Sequence, residues 1–226
     1  MLGANRAEKK YRASVEDAAG EIRKAILQGK ILPGEQLLEE KLMVSLRAGR
    51  VVLREALRAL EDQGYVTFLP NNQVVASNPS RDDVHDYYTI AGALEGLAAR
   101  LAVERAQPDE IARLRELHQL LKEACHKADV LQYFDANSNF HRFIAELSHN
   151  ERLYQLIEEL RREIQKTRLL SLHMPQRLDY SMREHDQIMD AFLKKNPQLA
   201  ESMMVQHLTN HLKALRKALD SGSEAR

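Results

Sequence analysis

The chain has one cysteine, no excess of charge of either sign, and no apolar run near the roughly 18 residues that a bilayer-crossing helix needs. Each absence excludes something. A lone Cys125 cannot close an internal disulfide, which fits a reducing compartment; on an apolar helix face it reads as a small hydrophobe rather than a redox sensor. Lys and Arg number 33 and Asp and Glu 33, so a globally basic nucleic-acid coat is excluded and any attraction for DNA has to be a local patch. There is no Gly/Ser tract and no long internal repeat, and the opening segment Met1 to Tyr11 is polar and charged. These features predict a soluble, cytoplasmic protein with no membrane partner. A length of 226 residues with 44% hydrophobic residues allows two cores.

What is present divides at Ser77-Asn78-Pro79-Ser80, a short polar stretch with a proline, into a domain at 1–77 and a second at 78–226. In the first, Ser14 to Gln28 is amphipathic through Val15, Ala18, Ala19, Ile22, Ala25, Ile26 and Leu27, and stops at Gly29 before Pro33-Gly34. A short helix from Glu39 to Leu46 follows, then a tight turn and a helix from Arg47 to about Asp62, closed by Gly64. Spacings of three, four and four put Arg47, Arg50, Arg54 and Arg58 on one stripe of that helix, opposite Leu46, Leu53, Leu57 and Leu60. Between residues 47 and 58 the only acid is Glu55. By itself such a stripe fits a solvated face as well as a DNA reader. The extended runs Tyr65–Leu69 and Gln73–Ala76 around the turn Pro70-Asn71-Asn72 predict a hairpin. Three helices, the last rich in arginine, followed by a two-stranded wing make a winged helix-turn-helix, whose last helix enters the major groove.

The second domain is predicted helical throughout, at about 81–105, 109–128, 130–148, 151–172, 176–195 and 198–219, with breaks at Pro108, Asn150, Pro175 and Asn196-Pro197 and a cap at Ser80. The expected fold class is therefore mainly α: an N-terminal winged helix-turn-helix and a C-terminal all-α antiparallel bundle.

The run Ile26-Leu27-Gln28-Gly29-Lys30-Ile31-Leu32-Pro33-Gly34-Glu35-Gln36-Leu37, then Glu39, Leu42, Arg50, Arg54-Glu55-Ala56-Leu57-Arg58-Ala59-Leu60-Glu61 and Gly64-Tyr65-Val66, resembles the GntR-type bacterial transcription regulators. Leu94 to Ala102, Asn137, Phe140-His141, Asn150, Glu184-His185, Ile188 and His207-Leu208 resemble the FCD domain of their FadR-type branch, so the resemblance covers nearly the whole chain. It implies DNA contact by Arg50 and Arg54, to which the stripe adds Arg47 and Arg58. The chain also departs from the family. Where relatives carry Ser-Arg-Thr-Pro-Val this sequence has Gly49-Arg50-Val51-Val52-Leu53, which loses two hydroxyls that cap the helix or hold phosphate. A wing-tip glycine near Gln73 is missing, and an arginine three residues before Leu94-Glu95 is replaced by Ala91.

The resemblance also implies a divalent metal, zinc or nickel, on His141, His185 and His207, three histidines on different helices among apolar neighbours. Spacing alone fits hydrogen-bonded core histidines equally well. Asn137 stands four residues before His141, on the same face, and offers an amide oxygen as a weak fourth ligand, whereas Asp135 lies roughly 120° around the helix. In many relatives position 137 is an aspartate. The expected protein is a homodimeric regulator of a palindromic double-stranded operator, switched by a small effector, an organic acid that completes the metal's coordination. With Ala91 carrying no cation, Arg162 or Arg168 is the candidate to hold that acid. The rival readings are a metal-independent sensor of acyl thioesters and a metal-dependent hydrolase on a helical bundle. The hydrolase is disfavoured because no His-Glu-x-x-His occurs and Glu184 diverges from its neighbour His185 by about 100°.

Overall fold

The structure, a computed structural model, describes residues 2–28, 30–78, 80–168 and 177–223. Among them the order is α1 (Leu2–Leu27), β1 (Gln36–Leu37), α2 (Glu39–Leu46), α3 (Arg50–Asp62), β2 (Val66–Phe68), β3 (Val74–Ala76), α4 (Arg81–Arg105), α5 (Pro108–His126), α6 (Val130–Leu147), α7 (Glu151–Arg168), α8 (Arg177–Leu193) and α9 (Pro197–Ser223). The chain falls into two compact units, residues 1–79 with 165–169 and residues 80–164 with 170–226. No described helix is long and apolar enough to cross a membrane.

In the first unit α1 buries Ala18, Ile22 and Ile26, one every four residues, and α3 buries Leu53, Ala56, Leu57 and Leu60. The two stripes pack on each other. Helix α1 begins at Leu2 rather than at Ser14, because a polar segment with good helix formers extends a helix whether or not it has a core to face. At its other end α3 closes through Gly64 (φ 79°), with the Tyr65 N–H donating to the Leu60 carbonyl at 2.8 Å, a left-handed stop that glycine adopts without a Cβ clash.

Two expectations need correction here. The helix-turn-helix places Arg47 in the turn, as the left-handed cap of α2 (φ 51°), and α3 begins only at Arg50 after an extended Gly49. Arg47 is therefore off the helical stripe, because the reversal between two helices consumes residues 47–49. The wing, moreover, is not a lone hairpin. Gln36–Leu37 adds a third strand in the order β1-β3-β2, antiparallel, pairing Gln36 with Val75 and Val66 with Ala76. The Gly34 and Ala76 amides extend that pairing, donating to the Ala76 and Glu35 carbonyls at 2.9 Å each. Two residues show no periodicity, so this strand left no pattern in the sequence. At the wing tip Asn72 takes the left-handed conformation (φ 61°) where a glycine was expected, and the Asn71 side chain accepts from the Gln73 N–H at 3.1 Å.

The second unit is a bundle of six helices. Side chains set its breaks. Ser80 and Asp83 form a capping box, Asp129 accepts from the Gln132 N–H at 3.0 Å, and Asn150 and Asn196 accept from Leu153 and Leu199 at 3.2 and 3.0 Å. Pro108 and Pro197 occupy first-turn positions, where a missing N–H costs nothing. The core centres on Leu114, Leu121, Phe140, Ile144, Ile188 and Met204. Helices α4 and α9 approach closely at Gly96, where an added Cβ would lie 2.7 Å from Val205 Cγ2. Along α4 the buried residues Val84, Tyr88, Ala91, Glu95, Ala98 and Ala102 form one stripe, and a single acid interrupts it.

Candidate functional site

His141 on α6, His185 on α8 and His207 on α9 are each 1% exposed or less, and they offer one ring nitrogen apiece within 4.8 Å of one another. Ring centroids are 5.3 Å apart for 141–185, 5.1 Å for 141–207 and 4.6 Å for 185–207. Helical periodicity explains the convergence: each histidine sits on the apolar stripe of its helix, beside Phe140 and Ile144, Ile188 and Met189, or Met204 and Leu208. Phe140 walls the group edge-to-face against His185 at 5.4 Å and His141 at 6.0 Å.

The second nitrogen of every ring is committed. His185 Nδ1 donates to the Ser181 carbonyl at 2.7 Å; His141 Nδ1 meets Glu95 Oε2 at 2.6 Å; His207 Nδ1 meets Glu184 Oε2 at 2.7 Å. A carbonyl accepts only, and so does an ionised carboxylate, so the hydrogen in each neutral imidazole sits on Nδ1 and the Nε2 presents its lone pair. His141 Nε2 and His185 Nε2 lie 3.2 Å apart, and His207 Nε2 is buried without a hydrogen-bond partner. Three ring nitrogens thus converge in the core, and lone pairs facing one another there cost free energy unless a proton or a cation lies among them. The 3.2 Å separation is close to that of two ligands roughly 2.0–2.1 Å from one zinc. The donor set fits a divalent metal.

Asn137 is buried one turn before His141 on α6, while Asp135 is exposed. His211 stacks on Tyr88 at 5.4 Å, and His118 pairs with Asp186 at 3.0 Å, so neither joins the three. Cys125 is half-buried beside Asp179, and burial together with that carboxylate pushes its thiol pKa up, away from thiolate chemistry. The side chains of Arg162 and Arg168, and His173, lie outside the described residues. From α7 it is Arg161, its side chain 11% exposed, that reaches α6 and donates to the Ser138 carbonyl at 2.6 Å. The sequence reading missed Glu95, Glu184 and Ser181. Glu95 had a signal, an acid at a core position of an otherwise apolar stripe, where a buried carboxylate has to find a partner. Glu184 does diverge from His185, and for that reason it meets His207 on the next helix.

In the first unit Arg50, Arg54 and Arg58 stand exposed on α3. Arg54 forks onto Glu39 of α2 (2.9–3.2 Å), whose carboxylate raises the guanidinium pKa, and Arg58 meets Glu61 at 2.7 Å with its carbon 3.8 Å over the Phe68 ring. With Gly49 as cap, α3 has no side-chain bond at its start.

Residues 86–210, more than half of the chain, match the FCD domain family, and residues 14–74 match the family described as bacterial regulatory proteins, gntR family. The chain is 28% identical over 205 residues to the uncharacterized HTH-type transcriptional regulator YdhC of Bacillus subtilis (strain 168), covering 90% of this chain and 92% of that protein. It is 24% identical over 204 residues to the HTH-type transcriptional repressor RspR of Escherichia coli (strain K12), covering 90% and 89%. The solved structure of E. coli McbR/YncC shares the fold, with a TM-score of 0.69 at 21% identity, covering 90% of this chain and 97% of that one.

Proposed function

The chain belongs to the gntR family of bacterial regulatory proteins with a C-terminal FCD domain, and from that premise we propose that it is a metal-dependent, effector-gated regulator acting as a homodimer on a palindromic operator. That it is a transcriptional regulator with a DNA-binding head and an effector domain, and not an enzyme, follows from the family and the relatives. The finer reading is ours: a head at 1–77, a sensor at 78–226, and a divalent ion on His141, His185 and His207 with Asn137 as a weak fourth ligand. One observation carries it, the convergence of three buried Nε2 lone pairs whose Nδ1 atoms are already bonded. Neutral nitrogen donors favour zinc or nickel over magnesium or calcium.

Bound there, the metal would supply an electrophilic point for the carboxylate of an organic acid. The chain's own groups do the rest. Ala91, buried on the α4 stripe, brings no cation, and Arg162 or Arg168 is the guanidinium we assign to the acid's remaining charge. An effector shifts the equilibrium between two arrangements of the heads only through a difference in affinity for them. On DNA, Arg50 and Arg54 contact the operator from α3, Arg47 contacts phosphate from the turn, and Arg58, held by Glu61 and Phe68, flanks them. Such a protein works in the cytoplasm.

The test is elemental analysis of protein purified without a histidine tag, together with the His185→Ala variant. Near-stoichiometric zinc or nickel in the wild type, and its loss in the variant with operator binding retained but effector response gone, is the expected outcome. A metal-free wild type that cannot be loaded, or a variant still fully loaded, refutes the metal centre.

A further inference from the structure

The three ring nitrogens and the Asn137 amide are all neutral, so the donor set carries no charge to set against a divalent cation in a dry interior. Charge-neutral donors replace the ion's hydration but leave its net charge without a counter-charge in a low-dielectric interior. The anions stand one bond further out: Glu95, 4% exposed on the α4 stripe, lies 2.6 Å from His141 Nδ1, and Glu184 on α8 lies 2.7 Å from His207 Nδ1. The third ring, His185, is held by the uncharged Ser181 carbonyl. Glu184 is itself oriented by Asn210, whose amide donates to its other oxygen at 2.9 Å.

Resting on the metal-centre reading above, we propose that Glu95 and Glu184 are the positioning residues that hold the cation: they lock the hydrogen of His141 and His207 on Nδ1 and supply the two negative charges that the direct ligands lack. The carboxylates raise the basicity of the imidazoles they accept from, and their charges equal that of one divalent ion in magnitude. The arrangement also leaves the ion's own open positions free of protein anions, so an anionic effector enters a centre that no first-rank carboxylate has already neutralised. This makes an acid the effector class the charge distribution favours. It also ties the centre to α4 through Glu95, the helix that directly follows the break between the two units.

The experiment separates charge from shape. Glu95→Gln and Glu184→Gln keep an oxygen that accepts from Nδ1–H but remove the charge, so fold and ring orientation persist while the cation is less well compensated. In the full-length protein, stripped and retitrated with zinc against a competing chelator, each variant should lose roughly 10–100-fold in affinity. Loaded with cobalt at saturation, each should keep the wild-type d–d spectrum, because the direct ligands are unchanged. Adding Asn137→Asp to Glu184→Gln returns one negative charge, now as a direct ligand, and should restore affinity to within a few-fold of wild type. Wild-type zinc affinity in both single variants overturns the proposal, as does loss in the singles without recovery in the double. A variant that melts lower without metal yet binds zinc as before makes the carboxylate a packing residue and also overturns it. Failure of the metal-centre reading looks different: the wild type itself then takes up no zinc.

Discussion

The arginines of α3 and the histidines of the bundle present their nitrogens in opposite ways. Arg50, Arg54 and Arg58 keep their heads in water and take partners that solvent can replace; Arg54 is half exposed even while it grips Glu39. The histidines are fully buried, and each has a specific second partner within 2.7 Å. The difference teaches where preorganisation is needed. A phosphate backbone brings a dense charge and tolerates approximate placement, so the reading head can present mobile cations on a rigid helix. A metal offers its coordination only within a few tenths of an ångström, so ligands have to be oriented by a second ring of bonds before the ion arrives.

The comparison breaks most readily on the buried side. His141→Ala removes the imidazole that the buried Glu95 carboxylate bonds and should cost about 3 kcal/mol of stability, read by denaturant unfolding of the metal-free protein. A loss under 1 kcal/mol would show that water reaches the site. Next, Gly96→Ala forces Val205 aside at the α4–α9 crossing and should cost about 1–3 kcal/mol, most of it recovered when Val205→Ala is added. Equal costs in the single and double variants would mean that the helix backbones, not that side chain, set the limit.

On the exposed side the sign of the contrast reverses, because stability is untouched and binding moves. Arg54→Ala should leave the unfolding midpoint unchanged and weaken specific operator binding roughly 10- to 100-fold in a gel-shift or anisotropy titration. If it also flattens the salt dependence by about one unit, the contact is to phosphate rather than to a base edge. Unchanged affinity and slope take it out of the interface. Smallest of all is the acid sensitivity carried by His118. Burial, with Lys122 alongside, lowers its pKa below 6.5, and the Asp186 carboxylate only partly opposes this. The unfolded chain then binds the proton more readily, so this group's contribution is whole above about pH 6.5 and is lost as pH falls through the folded pKa. In His118→Gln the fall of stability between pH 7 and pH 5 should be shallower, and an identical slope would assign the acid limb elsewhere.

Much of this architecture was legible because it repeats. The described helix boundaries in the bundle were readable within a few residues, since asparagine, serine and proline breaks are local chemistry; the break expected at Pro175 lies outside the described residues. The convergence of His141, His185 and His207 was legible through the resemblance to a known pattern and through their apolar stripes, and Asp135, expected on another face of α6, is exposed. Other features left little local trace. The strand at Gln36–Leu37 is too short to show a period, and the extension of α1 back to Leu2 runs through a polar sequence with no apolar period to announce it. Arg47 fell on the stripe only because its spacing suited a helix that in fact begins three residues later. Glu184 was judged against its sequence neighbour, when its partner lies 23 residues away on another helix.

By itself the amino-acid order determined the fold class and most helix ends, because burial periodicity and capping act over a handful of residues. Only the tertiary structure decided which nitrogen of each histidine is bonded to its neighbour and which turns toward the other two rings. A tautomer is set by whatever acceptor stands behind the ring, and Glu95, Glu184 and the Ser181 carbonyl come to stand there only when helices far apart in the chain pack side by side.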